Sequence, residues 1–236
     1  MSTKLEFVGH ACFRLWHDER PTILMDPFSP DTVGLESELQ LEADTVIVSS
    51  LTDPAHDNYR MAPGSPRVIN ALDVARGNTS ATINGESLLT VAAGEAPNHT
   101  EHSPHDNALY AFKADELWFV HMGDLGYRLT NEELAPFTNR CDVFLVLTGS
   151  ANTPSFDDLD YMIAYLQPTW IVPMHYELPP IAFGAKTVDE FLDHRAGDPV
   201  IYPRHHTVEF PLPSVKLGHP TIVVPEPSGY TPTCEA

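Results

Sequence analysis

The sequence predicts an α/β protein in which a mixed sheet is covered by helices. Three observations lead there. Short apolar runs of strand length come first and follow one another through tight turns. Later runs of the same kind alternate with segments whose apolar residues recur at helical spacing. Histidines and aspartates stand directly after the strand runs, where a rigid scaffold ends and a site can begin. The 236 residues, 42% hydrophobic, suit one domain spanning 1–236.

Residues 4–8 (Lys-Leu-Glu-Phe-Val) and 11–16 (Ala-Cys-Phe-Arg-Leu-Trp) read as two strands joined through Gly9-His10. Thr22-Ile23-Leu24-Met25 is a third. It stops at Asp26-Pro27, because the residue before proline is pushed out of helical geometry. Residues 29–41 read as loop. Thr45-Val46-Ile47-Val48 is a fourth strand, ending at Ser49-Ser50, and the turn formers of 51–58 follow it. Arg67-Val68-Ile69 and 88–92 are further strands, and 94–106 is a loop carrying His99, His102 and His105. Ala108 to Phe112 and Glu116 to Val120 form a hairpin turning at Ala114-Asp115.

Thr130-Asn131-Glu132-Glu133-Leu134 has the chemistry of a helix start, with acidic residues favoured in its first turn. Val143 to Leu147 is a central strand. A helix over 155–166 presents Leu159, Met162, Ile163 and Leu166 on one face. Trp170 to Met174 is a strand with His175 at its end, and Thr187 to His194 is a short helix. One or two strands and a Pro-rich tail complete the chain.

The formal charge is −20, from 33 acidic and 13 basic residues. Such a surface repels phosphate backbones and anionic lipids, which excludes nucleic acid and membrane surfaces as expected partners. A small-molecule substrate is expected instead, and homo-oligomerisation stays open. Cys12, Cys141 and Cys234 are far apart and odd in number, so they form no disulfide framework and fit a reducing compartment. With no basic-then-apolar leader, the cytoplasm is the expected location. Cys12 and Cys141 lie inside apolar strands and read as core. No G-x-S-x-G, P-loop or G-x-G-x-x-G signature is present.

The apolar run Leu117-Trp118-Phe119-Val120 leads into His121-Met122-Gly123-Asp124, which places a carboxylate at a strand tip. A cation site needs several N or O donors converging at about 2 Å. His56, His99, Asp124 and His175 are the candidates by residue type and position. His10 and Asp26 read either as residues that orient ligands or as an ordinary turn histidine and strand-ending aspartate. His121 points away from Asp124 along the strand and reads as structural. Tyr176 suits either a substrate contact or burial.

Gly9-His10-Ala11, Asp26-Pro27-Phe28, the strand ending in a Ser-rich loop, His121 to Gly126 and Pro173-Met174-His175-Tyr176 occur in an informative order. That order resembles the metallo-β-lactamase-fold hydrolases, and most of all the branch containing L-ascorbate-6-phosphate lactonase. The similarity covers most of residues 4–176 and implies a four-layer αβ/βα sandwich. The family carries His-x-His-x-Asp-His at a strand end. Aligned on Ser50, His56 and Asn58, this chain has Leu51, Asp53 and Ala55 at the positions of the first His, the second His and the Asp. Leu and Ala cannot coordinate a cation, whereas Asp53 offers oxygen.

By the same resemblance His99 matches the next family histidine, with His102 and His105 as the other options. Asp124 matches the carboxylate that bridges two metals, and His175 matches the last ligand. One half-site would keep Asp53, a loop histidine and Asp124; the other would keep His56, Asp124 and His175. The implied cofactor is a divalent metal ion, one rather than two, chosen from Zn, Mn or Fe, with Asp53 favouring the oxygen-loving cations. The implied activity is hydrolysis of an ester, lactone or phosphoester by a metal-bound water, with Asp124 and Asp53 as catalytic residues. Leu51 and Ala55 support the competing expectation, a non-catalytic protein of the same fold acting in binding or assembly.

Overall fold

Both faces of the first strands are apolar, and this sets the architecture. In β1 (Thr3–Gly9), β2 (Cys12–His17) and β3 (Arg20–Met25), the side chains of Leu5, Phe7, Phe13, Leu15, Ile23 and Met25 join one core. Val8, Cys12 and Leu24 join a second one on the opposite face. The period-two geometry of a strand produces that division. The computed structural model describes residues 2–17, 20–35, 38–96, 105–149, 152–181, 184–213 and 218–230.

The chain continues through β4 (Thr45–Val48), β5 (Arg67–Asn70), α1 (Ala71–Ala75), β6 (Thr82–Ile83), β7 (Glu86–Ser87) and β8 (Leu89–Ala93). Then come β9 (Asn107–Ala114), β10 (Leu117–His121), α2 (Asn131–Leu134), β11 (Val143–Leu147), α3 (Phe156–Leu166) and β12 (Trp170–Met174). The last elements are α4 (Val188–His194), β13 (Val200–Ile201), β14 (Thr207–Phe210) and β15 (Thr221–Val223).

Among the described residues the strands form two large mixed sheets, as the four-layer sandwich implied by the resemblance requires, and β6 pairs with β7 apart from them. The first has the order β14-β1-β2-β3-β4-β5 and the second β13-β15-β12-β11-β10-β9-β8. Their inner faces meet through aromatic rings. Phe210 of β14 sits edge-on to Phe119 of β10 at 6.0 Å and to Trp170 of β12 at 5.5 Å. Burying one such ring is worth about 1.5–3 kcal/mol. Over the outer face of the first sheet lie 3₁₀ turns at Pro30–Val33 and Tyr59–Met61, which place Val33 and Met61 against Val8, Leu24 and Val46. The four buried residues of the α3 face, Leu159, Met162, Ile163 and Leu166, pack on the core that includes β11. The result is the αβ/βα sandwich.

Helix starts follow the sequence signals. Thr130 and Glu133 form a reciprocal capping box before α2, and the Ser155 hydroxyl accepts from the Asp158 N–H at 3.2 Å before α3. Ala114 pairs with Leu117, so the β9–β10 hairpin turns on Asp115-Glu116, one residue later than expected. α1 and the β6–β7 hairpin are additional to the sequence reading. α1 has five residues, too few for a periodic signal, and is capped by Asn70. The hairpin turns on Asn84-Gly85, both at positive φ, and that dipeptide was its legible sign.

Strands β3, β4 and β5 run parallel, as do β10, β11, β12 and β15. The loops that leave the carboxyl ends of β3, β4, β10 and β12 begin with Asp26, Ser49, Met122 and His175. Among the described residues no helix is long and apolar enough to cross a membrane.

Candidate metal centre

Among the non-glycine residues with left-handed backbone, three follow strands at the centre: His10 (φ 52°), Asp26 (φ 41°) and His175 (φ 56°). Such conformations cost of order 1 kcal/mol or more, mildest for Asp and His, and they gather at sites whose surroundings hold them. The His10 carbonyl accepts the His175 N–H at 2.8 Å. This bond ties the β1–β2 turn of one sheet to the end of β12 in the other. Gly149 lets the chain pass: a Cβ there would collide with the His175 carbonyl and Tyr176 Cα.

Asp26 is fully buried and collects three donors. The Ser49 N–H and the Tyr110 hydroxyl donate to Oδ1, each at 2.9 Å, and His56 Nδ1–H donates to Oδ2 at 3.0 Å. Burial opposes its charge. The hydrogen bonds from His56 and Ser49 and the charge of His56 outweigh that and hold its pKa below the ordinary value. Asp26 thereby fixes the His56 ring and leaves Nε2 to face inward.

Asp124 is positioned by backbone rather than by its own side chain. Its N–H donates to Asn107 Oδ1 at 2.8 Å, and Asn107 Nδ2 donates to the Met122 carbonyl at 3.3 Å. Gly123 stands at φ 60° where a Cβ would strike Asn107 Oδ1 and Ser49 Cβ, so this turn requires glycine. The Gly123 N–H donates to His121 Nδ1 at 2.9 Å, which fixes that nitrogen as an acceptor. His121 Nε2–H then donates to the Ala11 carbonyl at 2.9 Å, and the ring is neutral and structural.

Around these supports two groups of donors converge. Asp53, His56 and Asp124 form one, with His56 Nε2 at 4.0 Å from Asp53 Oδ2 and 3.9 Å from Asp124 Oδ1. His10, His56 and His175 form the other. Asp124 Oδ1 lies 3.5 Å from His175 Nε2 and so adjoins both groups. The geometry therefore brings together Asp53, His56, Asp124 and His175 and adds His10. His99 and His102 lie outside the described residues. His105 is exposed, its carbonyl accepts from Arg76, and it joins neither group. Leu51 is 46% exposed on the loop that carries Asp53 and His56. Tyr176 is buried, 6.0 Å from the Phe7 ring. Cys12 and Cys141 are buried, and burial raises both thiol pKa values.

Sequence reasoning missed Asn107 and Glu95. Glu95, just past β8, is 2% exposed. Burial, with the charges of Asp124 and Asp53, pushes its pKa from the ordinary 4.5 to about 8. A raised carboxyl pKa means that the folded state binds the proton more tightly than the unfolded state. In the metal-free protein the Glu95 contribution to stability therefore falls as pH rises from about 4.5 to about 8. Glu95→Gln is expected to match wild type at pH 5 and to exceed it at pH 9. Urea midpoints of the chelator-treated proteins check this, and a constant difference across the range would refute it.

A family model described as a beta-lactamase superfamily domain matches residues 4–175. The chain belongs to the metallo-β-lactamase superfamily. A superfamily relative from Thermococcus kodakarensis, described as a UPF0173 metal-dependent hydrolase, is 26% identical over 224 residues, covering 85% of this chain and 96% of the relative. A solved structure from Thermotoga maritima, described as a Zn-dependent hydrolase of the superfamily, has a TM-score of 0.67 at 25% identity and covers 94% and 98% of the two chains. The metallo hydrolase Igni18 of Ignicoccus hospitalis shares the fold, with a TM-score of 0.61 at 20% identity over 90% of this chain and 100% of that one.

Proposed function

We propose that the protein is a metal-dependent hydrolase of ester, lactone or phosphoester bonds. It works with one divalent cation at the centre made by His56, Asp124 and His175, with Asp53 beside them. One observation carries this reading. His56 Nε2 is buried, has no hydrogen-bond partner among the described residues, and faces two carboxylates at 3.9 and 4.0 Å. In the metal-free protein a proton takes that place. Burial works against the charge, yet the Asp26 hydrogen bond and the fields of Asp124 and Asp53 push the His56 pKa up to about 10. A nitrogen so strongly drawn to positive charge, with its other nitrogen held by a carboxylate, suits a metal ligand. The relatives described as metal-dependent hydrolases support the same class.

When bound, a divalent cation lowers the pKa of a water and stabilises negative charge developing on the substrate oxygen. The chain's own residues do the rest. Asp26 keeps His56 in the tautomer with hydrogen on Nδ1. Asn107 and Gly123 aim Asp124. Asp53 Oδ1 accepts the Ala55 N–H at 2.8 Å, which fixes the carboxylate while Oδ2 faces the centre. That oxygen takes the proton released as water attacks, and passes it to the leaving oxygen.

The test is elemental analysis of protein purified without chelator or affinity nickel, joined to hydrolysis assays on aryl esters, lactones and phosphoesters. One equivalent of a transition metal is expected, with activity lost on chelation and restored by metal. Less than a tenth of an equivalent after reconstitution would sink the reading. Leu51 and Ala55 favour a second one, a non-catalytic binding or assembly protein. Unchanged metal content and activity in both Asp124→Ala and His175→Ala would sustain it.

A further inference from the structure

His56 belongs to two groups of donors, and one of them includes His10, which lies outside the His-x-His-x-Asp-His motif. One nitrogen each of His10, His56 and His175 lies within 4.8 Å of the other two, and all three side chains are buried. We propose that this chain holds its cation with these three imidazoles, His10 having taken over from the ligands lost at Leu51 and Ala55. The proposal rests on the reading that the centre binds a cation at all.

The rings form a closed triangle, with centroids 4.2 Å apart for His10 and His175, 5.0 Å for His10 and His56, and 5.8 Å for His56 and His175. A modest contraction brings the nitrogens to the separations of a metal with bonds of about 2.0–2.1 Å. The backbone favours that arrangement. Gly9 at φ 140° and His10 at φ 52° make a turn in which glycine or asparagine would be less costly at position 10. A histidine held there under strain aims its ring at the centre, and its carbonyl anchors the His175 N–H. Two of the three donors are thus locked to each other through the main chain, one from each sheet.

Asp124 adjoins the triangle as a fourth donor, through its 3.5 Å approach to His175 Nε2. His56 Nε2 serves one ion only, so Asp53 is left to handle protons. Three imidazoles and one carboxylate suit a borderline cation such as Zn²⁺ or Co²⁺ better than Mn²⁺ or Mg²⁺. The donor set thereby moves the preference away from the oxygen-loving cations that Asp53 alone suggested.

Two measurements on the full chain decide the matter. X-ray absorption at the metal edge of the Zn²⁺-loaded wild type counts the imidazoles, and three are expected. Co²⁺ titration of the chelator-stripped protein, followed in the visible spectrum, gives affinity and ligand-field bands. His10→Asn keeps a residue that tolerates left-handed backbone and is expected to weaken Co²⁺ binding at least tenfold to about a hundredfold, with an altered spectrum. Two imidazoles, or unchanged Co²⁺ affinity and spectrum in His10→Asn, would overturn the assignment of His10 and leave the cation site standing. Failure of the wild type to take up either metal would overturn both. Should His10→Asn not fold, the imidazole count on the wild type decides alone.

Discussion

Asp124→Asn is expected to leave a folded protein that no longer gains stability from zinc. The turn that carries Asp124 is held by Asn107 and by the lack of a side chain at Gly123, so the carboxylate is not what keeps the loop in place. What the carboxylate does is face His56 Nε2 and His175 Nε2 at 3.9 and 3.5 Å. An amide of the same shape removes the negative charge next to both nitrogens. At a zinc concentration a hundredfold above Kd the wild type gains about 2.7 kcal/mol, and a hundredfold loss of affinity leaves about 0.4 kcal/mol. Hydrolysis is expected to fall about 10³-fold, since the cation that offsets the developing negative charge is held far more weakly. Thermal unfolding with and without zinc, beside the hydrolysis assay, reads both. A zinc-induced shift equal to that of wild type would show that Asp124 is not part of the centre.

The strand-end logic was legible because it is local. Apolar runs ending in Asp26, Ser49, His121 and His175 can be seen in the chain, and the sheets put those ends together. The division into two sheets was legible only through the family resemblance, since strand pairing is a tertiary choice that the composition of one strand does not record. His10 shows the same limit at the site. Beside Gly9 it reads as a turn residue, and only the meeting of the β1–β2 turn with the end of β12 and the loop after β4 reveals His56 and His175 as its neighbours. Glu95 stands in Ala-Gly-Glu-Ala-Pro, which carries no chemical pattern, and its character comes from the charges of Asp124 and Asp53. Asn107 looks like a strand-starting residue until its side chain is seen bridging Met122 and Asp124. The expected loop ligand His99 falls outside the described residues, so the half-site with Asp53 is defined here by Asp53, His56 and Asp124.

Asp26 tests whether the support of the centre and the stability of the fold are one device. Asp26→Ala strands the buried Ser49 N–H and the Tyr110 hydroxyl and removes the countercharge of His56. Removing one member of a buried, hydrogen-bonded charge pair costs about 3–5 kcal/mol, against a total of about 5–15 kcal/mol for a typical domain. Alanine also tolerates left-handed backbone less well than aspartate, which adds to the loss. The sign with pH follows from the depressed pKa of Asp26. The charge-dependent part of its contribution is complete above the ordinary carboxylate range and is lost as pH falls through the folded-state value, so the gap between wild type and Asp26→Ala should narrow in acid. Asp26→Asn separates the two roles. Its Oδ1 still accepts from Ser49 and Tyr110, while its Nδ2 donates toward His56 Nδ1 and turns that nitrogen into an acceptor. The hydrogen then sits on His56 Nε2, the atom meant for the cation. Asp26→Asn is therefore expected to keep most of the stability and to lose metal affinity by about 10–100-fold, whereas Asp26→Ala loses both. Urea unfolding and Zn²⁺ titration of the two variants make the distinction. Wild-type zinc affinity in Asp26→Asn, or a loss under about 1 kcal/mol in Asp26→Ala, would contradict the role of Asp26 as the residue that sets the His56 tautomer and holds the two sheets' site together.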